Sequence, residues 1–319
     1  MEKLPWEDQF MASVPAFIKA GMPESRARQL LQDYIRLART TALPAVLDFE
    51  HHPELAANTS PFLERDAEIH DLMLAIVTPL LSRFTVKGLE NFEKIISCLH
   101  TTGVTLVANH LSLFDAAVVY ALLYREPHLK QYAQNIFFIA GRLVFTSDYS
   151  RVAGRMFHQM LVASPRDMAE NEPIKRELAR LNIRSFKEGK ERQRQGHILV
   201  LYPEGTRSRD GKMQQFHAAL YNYLDGTVVL PVAITGADKI LHSDSVTFEL
   251  TEGSMTIGEP VFIGTAEAAP QNIRAVDISS FPKDTRKQQA MDILGRSIAA
   301  ALPENMRGIY ADGISSVPR

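Results

Sequence analysis

Four short apolar runs constrain the fold of this chain more than any other feature: residues 104–108, 136–140, 198–202 and 228–234. Each is too short for a core helix and long enough for a strand buried on both faces. Helical stretches near 115–125, 172–194 and 214–224 separate them. Strands alternating with helices predict an α/β architecture around a largely parallel (mixed) sheet, because parallel neighbours need a crossover and the crossover is usually a helix. A final amphipathic helix is expected near 284–302, through Met291, Leu294, Ile298 and Leu302, and residues 303–319 read as irregular.

Before residue 85 the pattern is helical throughout. Pro23 suits a first turn, and Leu30, Leu31, Tyr34, Ile35 and Ala38 follow at helical spacing. Residues 41–60 hold two prolines and adjacent histidines and read as loop with a short helix. Ser60-Pro61 then predicts a helix start, a hydroxyl cap with proline at the first position, continuing through Ile69, Leu72, Met73, Ile76 and Leu80. The expected organisation is an N-terminal helical bundle over residues 1–85 and an α/β domain over residues 86–319. The bundle is read as packing without chemistry.

Charge narrows the partners. With 35 Lys and Arg against 37 Asp and Glu, no chain-wide basic field exists to hold nucleic acid. The charge is uneven: residues 1–80 carry 12 acids and 7 bases, residues 141–215 carry 15 bases and 9 acids. That basic middle segment suits an anionic partner or substrate, or is a solvated helix face. The lone Cys98 cannot form an internal disulfide or a cysteine-based zinc site. No apolar run approaches the ~18 residues of a membrane span, and the acidic start MEKLPWEDQF lacks the apolar core of a signal peptide.

Two motifs follow apolar runs directly. The first is Asn109-His110-Leu111-Ser112-Leu113-Phe114-Asp115, after 104–108. Active sites of open α/β sheets gather at the carboxyl ends of strands. From there His110 can act as a base if Asp115 reaches back from the next helix to hold one imidazole nitrogen. Ser112 to Asp115 equally fits a capping box, which makes Asp115 structural. The second motif is Tyr202-Pro203-Glu204-Gly205-Thr206-Arg207-Ser208-Arg209-Asp210-Gly211-Lys212, a turn after 198–202. Its Arg207 and Arg209 suit a phosphate dianion through bidentate hydrogen bonds. A serine hydrolase using Ser112 is disfavoured, because no Gly-x-Ser-x-Gly elbow is present.

Together, Asn109-His110-x-Ser112-x-x-Asp115 and Pro203-Glu204-Gly205-Thr206-Arg207-Ser208 resemble the first and third signature blocks of the glycerolipid acyltransferases. Residues Val229 to Gly236 resemble the fourth block. The likeness covers about residues 85–265. Within the family, the segments Ile139 to Val144 and Ile183 to Glu188 resemble the soluble, plastid stroma-type glycerol-3-phosphate acyltransferases, which also carry an N-terminal helical bundle. Ser164-Pro165-Arg166-Asp167-Met168 aligns with a phosphate-holding stretch of that subfamily; Arg166 keeps the positive charge, while Asp167 stands where the subfamily has histidine. Glu204-Gly205-Thr206 is closer to the lysophosphatidate acyltransferases.

The resemblance implies an acyltransferase of phospholipid biosynthesis that moves a fatty acyl group from an acyl-carrier protein or coenzyme A thioester to the sn-1 hydroxyl of glycerol-3-phosphate. His110 is then the general base and Asp115 its orienting partner. Arg166, Arg207 and Arg209 hold the phosphate, and the turn at Gly205 and Thr206 supplies oxyanion donors. The alternatives are an acyltransferase acting on 1-acyl-glycerol-3-phosphate and, below it, a non-enzymatic module binding anionic membranes or phosphate. No metal and no cofactor beyond the thioester co-substrate is expected. The expected location is cytoplasmic, or plastid stroma for a mature form, with peripheral contact at a membrane.

Overall fold

The computed structural model describes residues 3–49, 51–242 and 244–312. Among them are ten strands: β1 Phe62–Leu63, β2 Phe84–Lys87, β3 Val104–Ala108, β4 Ile136–Gly141, β5 His158–Val162, β6 Ile198–Leu201, β7 Thr227–Thr235, β8 Gly253–Ile257, β9 Val261–Gly264 and β10 Arg274–Asp277. The chain divides into two compact units, each discontinuous in sequence. One holds Met1–Ser82, Asn135–Arg192 and Val246–Leu250; the other holds Arg83–Gln134, Gln193–Ser245 and Thr251–Arg319. No helix among the described residues is long and apolar enough to cross a membrane.

In the first unit β5 lies between β4, its parallel partner, and β1, which runs antiparallel to it. The helix Glu24–Ala38 follows Pro23, as its apolar spacing predicts. Its Tyr34 is buried in an aromatic cluster with Trp6, Phe10 and Tyr149, and its hydroxyl donates to the Tyr149 carbonyl. A second buried group, including Val46, Leu47, Phe145, Leu161, Leu178 and Leu181, packs the helix Lys175–Arg194 against β4 and β5. The helix expected from Ser60-Pro61 instead begins at Ala67, where the Asp66 carboxylate accepts the Ile69 N–H at 3.1 Å. Ser60 donates to Glu188, and Phe62 and Leu63 are committed to β5. Pairing with a strand that shows no clean apolar pattern overrode the local capping signal.

The second unit carries the strand order β6-β3-β7-β8-β2, with β9 and β10 branching from β7. The three central strands β6, β3 and β7 are parallel and buried along their length but for Thr235 at the end of β7, which is why they read as nearly continuous apolar runs. Strands β8 and β9 run antiparallel to β7, which makes the sheet mixed. Pro231 sits inside β7 between the residues registered with β9 (Thr227–Val229) and those registered with β8 (Val232–Thr235), where a missing N–H does least harm. Because β3 and β6 are parallel neighbours, with Val107 opposite Leu201, the turns that leave their carboxyl ends emerge side by side. Those turns are the two motifs.

Candidate active site

His110 and Asp115 meet. The imidazole Nδ1 lies 2.8 Å from Asp115 Oδ2, and the same oxygen accepts the Leu111 N–H at 2.6 Å and the Ser112 N–H at 2.9 Å. The carboxylate is 0% exposed, whereas the imidazole is 18% exposed. A buried anion with three donors, on the first residue of the helix Asp115–Tyr124, is stabilised by hydrogen bonding and by the helix N-terminus. With Nδ1 engaged as donor, Nε2 is the nitrogen left to accept a proton. The capping reading is half realised: the Ser112 N–H reaches Asp115, but the Ser112 hydroxyl accepts the Phe114 N–H instead of the Asp115 N–H and donates to the Leu241 carbonyl. A buried Ser112 with both hydrogen-bonding roles filled is not placed as a nucleophile.

The turn is tied to both flanking strands. Asn109 donates to the Ile234 carbonyl and accepts the Ile234 N–H, clamping the end of β3 to β7. On the β6 side, Glu204 Oε1 accepts the His110 N–H at 2.8 Å and Oε2 accepts the Gln214 N–H at 2.8 Å. The Ser208 N–H donates to the His110 carbonyl at 2.8 Å. The Tyr202 ring stacks on the imidazole, with centroids 4.3 Å apart and planes 18° apart. Burial and the Asp115 charge hold the Tyr202 phenol well above its usual range. The sequence motifs assign no role to Glu204 or Tyr202 individually. The available signal for Glu204 was an acid between proline and glycine immediately after a fully apolar strand.

Ser208 sits between Arg207 and Arg209, so its bond to His110 ties the backbone of the arginine-bearing loop to the turn that carries the base; His110 itself is not among the residues lining the arginines' cleft. Thr206, Arg207, Arg209, Lys212, Met213 and Ile309 are among the residues lining an open cleft of about 900 Å3. Neither arginine forms an ion pair among the described residues. Gly205 turns at φ +69°, a conformation that favours glycine. Its N–H donates to the Tyr202 carbonyl at 3.1 Å, so that amide is committed to the turn and is not placed to receive an oxyanion. Arg166 lies in the other unit, exposed on the helix Pro165–Glu170 and ion-paired with Glu170 at 2.7 Å. Asp167, the departure from the subfamily pattern, completes a capping box there: it accepts the Ser164 N–H at 2.8 Å and the Ser164 hydroxyl at 2.6 Å. Its acid is explained by helix capping, with no need of a phosphate partner.

The family model described as Acyltransferase matches residues 83–235. These residues form an acyltransferase-family domain. The domain holds His110, Asp115, Glu204, Arg207 and Arg209, whereas Ile309 lies beyond it. The chain is 26% identical over 165 residues to the chloroplastic 1-acyl-sn-glycerol-3-phosphate acyltransferase LPAT1 of Arabidopsis thaliana, a match over 51% of this chain and 39% of that protein. The chain thus spans about two-fifths of the length of this curated relative. Among solved structures it is similar to the 1-acyl-sn-glycerophosphate (LPA) acyltransferase PlsC of Thermotoga maritima, at 20% identity and a TM-score of 0.46, over 85% of this chain and 93% of that one.

Burial raises the Glu204 carboxyl to about 7, against the pull of its two amide donors. A carboxyl raised on folding stabilises most below its unfolded value, about 4.3, and that contribution is lost as pH rises through about 7. The melting temperature of the wild type should therefore fall more between pH 5 and pH 8 than that of Glu204→Gln, which cannot titrate. Parallel pH–melting curves for the two proteins would contradict this assignment.

Proposed function

We propose that the acyltransferase domain moves a fatty acyl group from a thioester to the free hydroxyl of 1-acyl-glycerol-3-phosphate. The observation that carries the reading is the Ser208–His110 backbone bond, which joins a loop bearing two arginines without ion pairs to the turn that holds an Asp-oriented imidazole. A base on a turn joined to a cleft lined by Arg207, Arg209 and Lys212 suits a substrate that carries a hydroxyl close to a phosphate. The hydroxyl oxygen attacks the thioester carbonyl carbon while Nε2 of His110 takes its proton. The tetrahedral intermediate collapses with loss of the thiolate, which recovers the proton from His110. Asp115 and the face of the Tyr202 ring stabilise the imidazolium between these steps.

The choice of acceptor departs from the sequence-based expectation of glycerol-3-phosphate. That expectation rests on the likeness of residues 139–144, 164–168 and 183–188 to the soluble subfamily and on the lack of a membrane-spanning run; Arg166 of that set is ion-paired on its own helix, and the relative matched in sequence is named for the monoacylated acceptor. The cleft volume supports the larger acceptor as well: about 900 Å3 is near the top of the ~300–1,000 Å3 typical of small-molecule sites, far more than glycerol phosphate fills. An acyl-bearing acceptor is drawn from a bilayer, so peripheral membrane contact goes with this reading. The donor is an acyl-carrier protein or coenzyme A thioester. Arg176, Arg180 and Lys187 are exposed and without ion pairs among the described residues, which supports attraction of such an anionic donor.

His110→Ala is expected to leave a folded protein whose kcat falls by roughly 10²–10⁴. Asp115→Asn keeps an oxygen for the amides but removes the charge facing the imidazolium, so kcat should drop about 10²-fold or more at a nearly unchanged melting temperature. Near-normal turnover in either variant would remove the mechanism.

With glycerol-3-phosphate and its monoacylated form offered together, product analysis should show mainly phosphatidate formed from the monoacylated acceptor. Arg207→Ala and Arg209→Ala should each raise KM for that acceptor by roughly tenfold and leave KM for the donor less affected. A product made mainly from glycerol-3-phosphate would restore the other acceptor.

A further inference from the structure

The cleft has one wall that the family domain does not supply. After the helix Arg286–Ala300 the chain returns across residues 213–216 and is fastened there at several points. The Met213 N–H donates to the Met306 carbonyl at 2.9 Å, and the Ile309 N–H to the Met213 carbonyl at 3.4 Å. The Tyr310 hydroxyl accepts the Phe216 N–H at 2.9 Å and donates to Asp292 at 3.2 Å, while the Tyr310 and Phe216 rings pack edge to face at 5.3 Å. Gly308 has φ +55°, and a Cβ on it would stand 1.9 Å from the Met213 carbonyl oxygen, so only glycine lets the segment lie this close. Glu204 holds the other side of the same stretch through the Gln214 N–H.

This fastening presents one large apolar side chain to the cleft. Ile309 is 58% exposed on a wall that it shares with Gly308 and Met213, beside Arg207, Arg209 and Lys212. An exposed isoleucine on a backbone segment fastened at several points, next to three cations and the one acid Asp210, matches a ligand with a phosphate at one end and hydrocarbon at the other. Free glycerol phosphate has about ten non-hydrogen atoms and no hydrocarbon chain to cover that surface.

We propose that Ile309 is a specificity-determining residue, whose side chain contacts the acyl chain of a monoacylated glycerol phosphate while Arg207 and Arg209 hold its phosphate. The proposal rests on reading this cleft as the acceptor site. Selection for the monoacylated acceptor is then a property of the C-terminal segment, while the phosphate contact belongs to the acyltransferase domain.

The test compares kcat/KM for a short-chain, water-soluble monoacylated glycerol phosphate with that for glycerol-3-phosphate. Ile309→Ser should lower the ratio of the two by roughly tenfold, the scale of a lost apolar pocket contact. Ile309→Leu, which keeps the hydrocarbon, should hold the ratio near the wild-type value. An unchanged ratio in Ile309→Ser overturns the role of Ile309. Calorimetric binding of the same two compounds keeps the two readings apart. If the wild-type protein binds but does not acylate either compound, acyl transfer fails, while a selective loss of the monoacylated ligand in Ile309→Ser still upholds the contact and equal binding still overturns it.

Discussion

One carboxylate oxygen organises this site. Asp115 Oδ2 gathers the imidazole N–H of His110 and the amides of Leu111 and Ser112, so a single buried anion closes the turn after β3 and sets the orientation of its histidine. Burying a charge is costly unless hydrogen bonds compensate; three donors to Oδ2 and the start of the helix Asp115–Tyr124 offset that cost, while Oδ1 is buried with no partner among the described residues. The residue thus carries a structural and a chemical role through the same oxygen. The same bonds that make the turn stable aim Nε2 away from the protein's own carboxylate.

A second carboxylate does for the neighbouring turn what Asp115 does for its own. Glu204 bridges the His110 and Gln214 amides from a position that is 1% exposed. With the Ser208–His110 bond, it joins the base, the arginine-bearing loop and the stretch on which the C-terminal segment lies. The parallel pairing of β3 with β6 makes this joining possible, since it brings two turns distant in sequence to one sheet edge. Base, cation pair and apolar wall are then parts of one backbone network.

Much of this was legible from residue order. The runs at 104–108, 136–140, 198–202 and 228–234 became β3, β4, β6 and β7 within a residue or two, because strands buried on both faces leave uninterrupted apolar signals. The His110–Asp115 pair and the cluster of Arg207 with Arg209 were visible as motifs at strand ends. What stayed hidden depends on contacts remote in sequence. His158-Gln159 gives β5 a polar beginning, so neither it nor the short strand β1 beside it stands out in the sequence, and Ser60-Pro61 carries the local signal of a helix start. Asp167 is a capping residue only because Ser164 opens a helix, and the Gly205 amide is spent on Tyr202. Residues 303–312, read as irregular, gain their meaning from Met213, Phe216 and Asp292, which no local pattern connects to them.

The proposed chemistry depends on the tautomer that Asp115 enforces. Nitrogen-15 NMR of histidine-labelled protein, assigned by comparison with His110→Ala, reads it directly. The neutral imidazole of His110 should carry its proton on Nδ1, with Nε2 bare and ready to accept the substrate's proton. A neutral His110 protonated at Nε2, with Nδ1 bare beside Asp115, would contradict the account at its centre.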